Sequence, residues 1–374
     1  MAPQYIHERP DWPRFRWDAD RLLEGLSRTR HLQGRLLGRM EVLGLASRSE
    51  ASLEVLTSEV VQSSAIEGER LDDREVRSSV ARKLGLDIAG LGPASRNVEG
   101  VVAMTLDATQ RFDQPLTAER LFEWHASLFP TGRSAGRRIS VGAWRESSSG
   151  PMQVVSGAMG KEVVHFEAPA PKRLEAEMSR FLAWFESRPI AEPLIHAAIA
   201  HLWFVTIHPF EDGNGRIARA ICDMALARAD GTRERFFSLS AELERERADY
   251  YGRLEATQRG SLDITEWIEW FLGVLQRAIR GADRSLETVL RKARVWRGLS
   301  GAPVNERQRI VLNRMLGDFQ GFLTTSKYAE LARCSTDTAL RDIQELAARG
   351  VLVKNDGGGR STSYRIVEVL EDRP

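Results

Sequence analysis

His208-Pro209-Phe210-Glu211-Asp212-Gly213-Asn214-Gly215-Arg216-Ile217-Ala218-Arg219 is the stretch on which the reading of this chain turns. The segment before it, 192–207, carries Ala or large apolar residues almost throughout, apart from His196, His201 and Thr206, as a helix buried on all sides would. Pro209 cannot continue a helix interior, so this helix is expected to stop near Ile207 and leave His208 exposed at its end. An imidazole with an ordinary pKa of about 6.5 suits proton removal from a hydroxyl at neutral pH. Gly213 and Gly215 bracket Asn214 and let consecutive N–H groups converge on an anion. A helix opening there adds its N-terminal amides and dipole, and Arg216 and Arg219, three apart, reach the same side. Asp212 offers a hard oxygen for magnesium, which one or two carboxylates plus phosphates commonly hold. A base, a cation ligand and a polyphosphate cradle within twelve residues are the parts of phosphoryl or nucleotidyl transfer.

Outward from this stretch the chain reads as mainly α. Apolar residues recur at helical spacing from about 18 to 81, and again over 98–112 and 117–129, the latter opening at Thr117 with Glu119 in its first turn. Between 137 and 171 Gly, Ser and Pro accumulate, and two β-prone runs, 153–155 and 162–166, predict a small hairpin. Helix resumes over 172–187, then after the glycine turn over 218–229, 241–258 and 265–296. Residues 298–303 read as a linker. Helices over 305–316, 326–332 and 335–348, the last ended by Gly350, precede strands at 351–353 and 363–366 around the glycine turn 356–360, the order of a winged helix-turn-helix. The predicted division is therefore 1–110, a helical N-terminal region; 111–280, the catalytic domain; 281–303, helix end and linker; and 304–374, the winged helix-turn-helix domain.

Bulk composition argues for a soluble globular protein with 42% hydrophobic residues. The 53 basic and 52 acidic residues leave a net charge of +1, so no general attraction to nucleic acid or anionic membranes follows. Cys222 and Cys334 are too few and too far apart for a disulfide framework, which fits a reducing cytoplasm. The first 17 residues lack the apolar run of a signal peptide, and no stretch approaches the roughly 18 apolar residues of a membrane span. In the C-terminal module, Thr336, Thr338, Arg341 and Gln344 are candidates for base or phosphate contacts, with Arg360 in the wing. Residues 301–374 hold only 11 basic against 10 acidic residues, weak grounds for DNA binding.

The motif resembles the signature of the Fic family, His-x-Phe-x-[Asp/Glu]-Gly-Asn-Gly-Arg-x-x-Arg, at every specified position. The resemblance runs from about 117 to 272 and takes in Gly142 and Arg145 ahead of the motif and Tyr250-Tyr251 after it. It implies an all-helical Fic core with a β-hairpin flap, and a protein adenylyltransferase that moves AMP from ATP to a Ser, Thr or Tyr hydroxyl of a protein, itself included. In that scheme His208 is the base and Asp212 holds Mg2+. Gly213, Asn214 and Gly215 cradle phosphates, Arg216 and Arg219 bind the distal ones, and Tyr250 and Tyr251 lie near the adenine pocket. The hairpin docks the target by strand addition at Gln153, Val154, Val155 and Ser156.

Ser63-Ser64-Ala65-Ile66-Glu67-Gly68 resembles the inhibitory motif [Ser/Thr]-x-x-x-Glu-[Gly/Asn] of many Fic proteins. Ser63 and Glu67 share a helix face, and a carboxylate delivered to Arg219 would occupy the cation that the γ-phosphate needs. The bland reading of that string is a solvated helix face ending in a glycine cap. Expected partners are a protein substrate presenting a hydroxyl, a second copy in self-modification or a homodimer and, on weaker grounds, DNA; no membrane is expected. Two other activities compete: removal of AMP by the same site with Glu67 orienting water, and a nucleotide-sensing, DNA-binding transcriptional regulator.

Overall fold

The computed structural model describes residues 5–41, 45–86, 92–146, 151–156, 163–188, 190, 192–299, 304–316, 319, 321–355 and 362–367. It is mainly helical, with small sheets only, and divides into two compact units, 1–282 and 283–374. Among the described residues no helix is long and apolar enough to cross a membrane.

The first unit opens with α1 (Ala19–Glu41), α2 (Leu45–Ile66) and α3 (Asp73–Lys83). These are followed by α4 (Arg96–Gln110) and α5 (Ala118–Leu128). Their starts obey local chemistry: the Asp72 carboxylate accepts from the Arg74 and Glu75 amides, and the Thr117 hydroxyl from Arg120 N–H. The helices α4 and α5 cross closely at Gly100, where an added Cβ would lie 1.8 Å from the Ser127 carbonyl oxygen. Only glycine lets those backbones approach so far.

Two antiparallel hairpins follow: β1 (Arg133–Ser134) with β2 (Arg137–Arg138), then β3 (Gln153–Ser156) with β4 (Val163–Glu167). The second is the predicted hairpin, while its turn, 157–162, lies outside the described residues. After α6 (Leu174–Ser187) comes α7 (Pro193–Ile207), begun by Pro193 in the first turn with the Glu192 carboxylate on the Leu194 amide. Every residue of α7 from Leu194 to Ile207 is buried. Sequestering each large side chain contributes about 1.5–3 kcal/mol, which makes this helix the stable floor on which the next loop stands.

The helix α8 (Asn214–Asp230) starts inside the glycine turn, where a helix was expected to open. It packs along α7. The expected single helix 241–258 is two, α9 (Leu239–Arg245) and α10 (Arg247–Gln258), broken at Glu246. Then α11 (Thr265–Gly298) runs across the division between the units.

In the second unit, α12 (Glu306–Met315), β5 (Leu323–Thr324), α13 (Thr325–Ala332), α14 (Thr336–Ala348), β6 (Leu352–Lys354) and β7 (Ser363–Ile366) surround a core of Val311, Leu312, Tyr328, Ile343 and Leu346. The winged helix-turn-helix order is present, with a strand that sequence reading overlooked: β5 is only two residues long, and β7 pairs with both β5 and β6. Asp342 ties the helices together, accepting from Asn305, Arg307 and the Tyr328 hydroxyl. Thr336, Arg341 and Gln344 are exposed on α14, and Thr338 is half-buried against its cap residue Ser335. Arg360 and the turn 356–360 lie outside the described residues.

Candidate active site

The last turn of α7 delivers His208 in the left-handed conformation (φ 51°, ψ 58°), rare for a residue with a Cβ. Arg145 holds it there, donating Nε–H to the His208 carbonyl (2.8 Å), Nη2–H to the Pro169 carbonyl (2.5 Å) and its backbone N–H to the Pro209 carbonyl (2.9 Å). Burial lowers the Arg145 pKa only to about 10, so the guanidinium stays charged at neutral pH. The His208 Nδ1 lies 3.2 Å from the Val205 carbonyl. A carbonyl only accepts, so Nδ1 carries the hydrogen and Nε2 keeps a lone pair. Burial brings the imidazole down to about 4, with the Val205 carbonyl opposing and Arg145 assisting. The expected exposed histidine of ordinary pKa is thereby corrected: the ring is half-buried and neutral across the physiological range. Proline predicts a helix end but not the walls that surround it.

Phe210 is fully buried and stacks on His125 with ring centroids 4.2 Å apart. Gly213, at φ 80°, caps α8, and the ladder begins with Ile217 N–H on the Gly213 carbonyl (3.0 Å). The amides of residues 214–216 therefore stand at the open end of the helix, where anions bind. Asn214 accepts from the Phe210 amide (2.9 Å) and donates to the Phe210 carbonyl (2.8 Å). Its carboxamide thus braces the turn, so the backbone amides rather than this side chain face the open end of the helix. Asp212 accepts from the Gly213 amide and from Ser134 Oγ on β1. Among the described residues no cluster of three or more His, Cys, Asp or Glu could hold a metal ion. Magnesium on one carboxylate plus phosphates requires no such cluster, and an ionised Asp212 has lone pairs beyond these two bonds.

Both motif arginines already hold carboxylates. Arg219, 1% exposed, donates Nε–H to Ser63 Oγ (2.9 Å), and Nη2–H to the Ser63 carbonyl (2.7 Å) and to Glu67 Oε1 (2.8 Å). Burial works against its charge, yet the Glu67 carboxylate raises its pKa. Arg216 donates Nη1–H to Glu69 Oε2 (2.7 Å) and lies over the Phe129 ring. A Cβ on Gly215 would fall 2.0 Å from Glu67 Oε1, so this carboxylate occupies the mouth of the glycine turn. Ser63 and Glu67 thus both accept from Arg219 of the motif. Glu69 was missed, although it stands two residues past Glu67 and directly after Gly68.

The tyrosine pair separates. Tyr250 is buried, its hydroxyl 2.8 Å from His201 Nε2, as a core residue would be. Tyr251 is 37% exposed and donates to the Ile66 carbonyl (3.4 Å) beside Glu67. One turn further along α10, Glu255 lies 2.7 Å from His165 Nδ1 on β4, and His165 Nε2 lies 2.6 Å from Ser156 Oγ on β3. Arg259, the next turn on, donates to the Val164 and His165 carbonyls. So α10 covers the β4 side of the hairpin, while β3 pairs only with β4 among the described residues and Val155 is 48% exposed. The Arg145 bridge from His208 to Pro169 joins the base of this hairpin to the loop. Gln153 to Ser156 therefore form an open edge near the site rather than part of its floor.

Residues 115–226 match the Fic/DOC family. The chain carries a Fic domain. Residues 5–86 of this Fic protein match a domain of unknown function, DUF4172, and residues 313–365 a DeoR-like helix-turn-helix domain. Over 113 residues it is 36% identical to protein adenylyltransferase Fic of Nematostella vectensis, covering 30% of this chain and 25% of that protein. The corresponding protein of Culex quinquefasciatus is 24% identical over 245 residues, 63% of this chain and 43% of the relative. A uridine 5'-monophosphate transferase of Xanthomonas campestris is 32% identical over 124 residues, 30% of this chain and 21% of the relative. The Fic protein thus spans less than half the length of these curated relatives. A Fic family protein from Desulfovibrio desulfuricans G20 shares the fold, with a TM-score of 0.52 and 21% identity over 92% of this chain and 96% of its own.

Proposed function

We propose that this Fic protein transfers AMP from ATP to a hydroxyl of a protein and restrains itself through Glu67. The observation that carries this reading is the Glu67 carboxylate bonded to Arg219 in the mouth of the Gly213–Gly215 turn, beside a neutral His208. In the transfer, His208 Nε2 takes the proton of the acceptor hydroxyl. The oxygen attacks the α-phosphorus, and the bond to the pyrophosphate oxygen breaks. The amides of 214–216 steady the phosphates, and Arg219 takes the distal charge once Glu67 withdraws. Magnesium bound to Asp212 and the phosphates would neutralise charge on the departing pyrophosphate. The exposed β3 edge of Gln153, Val154, Val155 and Ser156 is where an extended target segment would add as a strand.

The names of the curated relatives favour AMP, and the uridine 5'-monophosphate transferase among them makes the nucleotide itself part of the test. Purified Glu67→Gly protein incubated with ATP or UTP and magnesium should gain the mass of AMP from ATP, at least tenfold faster than the parent, whereas His208→Ala gains nothing. Equal labelling of parent and Glu67→Gly would remove the restraint; labelling of His208→Ala at the parental rate would remove the base. The DeoR-like domain supports a second reading, a regulator that binds an operator through α14, to be judged by specific DNA retardation that Arg341→Ala abolishes and His208→Ala leaves intact.

A further inference from the structure

The turn that presents Glu67 presents a second acid in the same motion. The end of α2 is closed by the Gly68 amide on the Ala65 carbonyl (2.9 Å) and the Glu69 amide on the Ser64 carbonyl (3.0 Å), with Gly68 at φ 83°. This is the doubly bonded glycine cap in which the chain reverses over the helix end. Glu67 is the last residue before the reversal and Glu69 the first after it, so one rigid turn aims both carboxylates at α8. Their targets lie three residues apart on one face of that helix: Arg219 for Glu67 and Arg216 for Glu69. Both guanidiniums are nearly buried, with side chains 2% and 7% exposed, while the two carboxylates remain 31% and 34% exposed. Among the described residues each arginine also keeps a buried N–H without a partner, Nη1 of Arg219 and Nε of Arg216. A buried donor left unmade is costly, and two of them on neighbouring cations at a helix N-terminus point to an anion richer in oxygens than one carboxylate each.

We propose that Glu69 is a second restraining carboxylate, which competes with the distal phosphates of a nucleoside triphosphate for Arg216 as Glu67 does for Arg219. The inference rests on the reading of the glycine turn as a polyphosphate cradle. Release would then be graded: freeing Arg219 alone leaves Arg216 capped, and withdrawal of the whole turn frees both.

Calorimetric titration of full-length His208→Ala protein, which cannot turn over, with ATP and magnesium tests it. Glu69→Gln should tighten ATP about fivefold, as expected for loss of a part-exposed ion pair. The Glu67→Gly, Glu69→Gln double variant should bind more tightly than either single one. AMP, which lacks the distal phosphates, should bind the parent and Glu69→Gln alike, and in Arg216→Ala protein Glu69→Gln should leave ATP affinity unchanged. Unaltered or weaker ATP binding by Glu69→Gln, or an equal change for AMP and ATP, would overturn the proposal and leave Glu69 a structural anchor of the turn. An effect of Glu69→Gln without any effect of Glu67→Gly would uphold the second restraint and sink the first. If no variant binds ATP, the cradle reading fails and this proposal falls with it.

Discussion

His208 shows how far a residue's chemistry depends on its walls. Its place at a helix end is written in Pro209, yet its neutral state comes from burial and from Arg145, 63 residues earlier in the chain. An imidazole held at about 4 rather than 6.5 takes up its proton only in acid, so the basic form persists far below neutrality. In Glu67→Gly protein, the rate of AMP transfer attributable to this base should stay level from pH 8 down to about 5.5 and fall only as the pH approaches 4. A decline centred near 6.5 in the pH–rate profile would mean an ordinary, solvated histidine. Asn214 teaches the opposite lesson, because a motif names a residue without saying which of its atoms faces the ligand; here the carboxamide braces the loop.

Among the elements, α7 was the most legible, since uninterrupted apolarity has few outcomes other than a buried helix. The break between α9 and α10 and the two-residue strand β5 were not, because short elements owe their form to neighbours rather than to periodicity. The crossing of α4 and α5 is a case in which one glycine carries a whole packing arrangement. Gly100→Ala should cost at least about 2–3 kcal/mol, because its Cβ meets backbone rather than a movable side chain, and thermal melting should register the loss. An unchanged melting temperature would show that the two helices slide apart at little cost. The hairpin belongs to this scale too. Tyr251 and Glu255 on α10 and Arg259 at its C-terminal cap recur every four residues, so one face touches the end of α2 and clamps β4. Replacing Glu255 with Ala should slow modification of a protein target more than self-modification, measured side by side in Glu67→Gly protein, if the clamp serves to hold the docking edge.

At the scale of the molecule, the motif, the Glu67–Glu69 turn and the hairpin all lie within residues 1–282, and the DeoR-like domain within 283–374. Loss of structure in the second unit should therefore spare the proposed nucleotide transfer. Asp342 is the means to test this: burial opposes its charge, but Arg307, Asn305 and Tyr328 hold its pKa below the usual carboxylate range. A depressed acid adds stability above its unfolded value of about 3.9 and loses it as the pH falls through the lower folded value. Asp342→Asn should remove roughly 1–3 kcal/mol from the second unit near neutral pH. Its calorimetric transition should drop, with the AMP-transfer rate of Glu67→Gly protein unchanged. A parallel fall in transfer would tie the two units together. The sequence by itself determined the helical class, the twelve-residue motif, the Ser63 to Gly68 string and the winged-helix order, because each is a matter of local spacing and periodicity. Only the tertiary structure decided that His208 is neutral, that Tyr250 is core and that Glu69 holds Arg216, because desolvation and ion pairing arise between residues that adjacency in the chain does not relate.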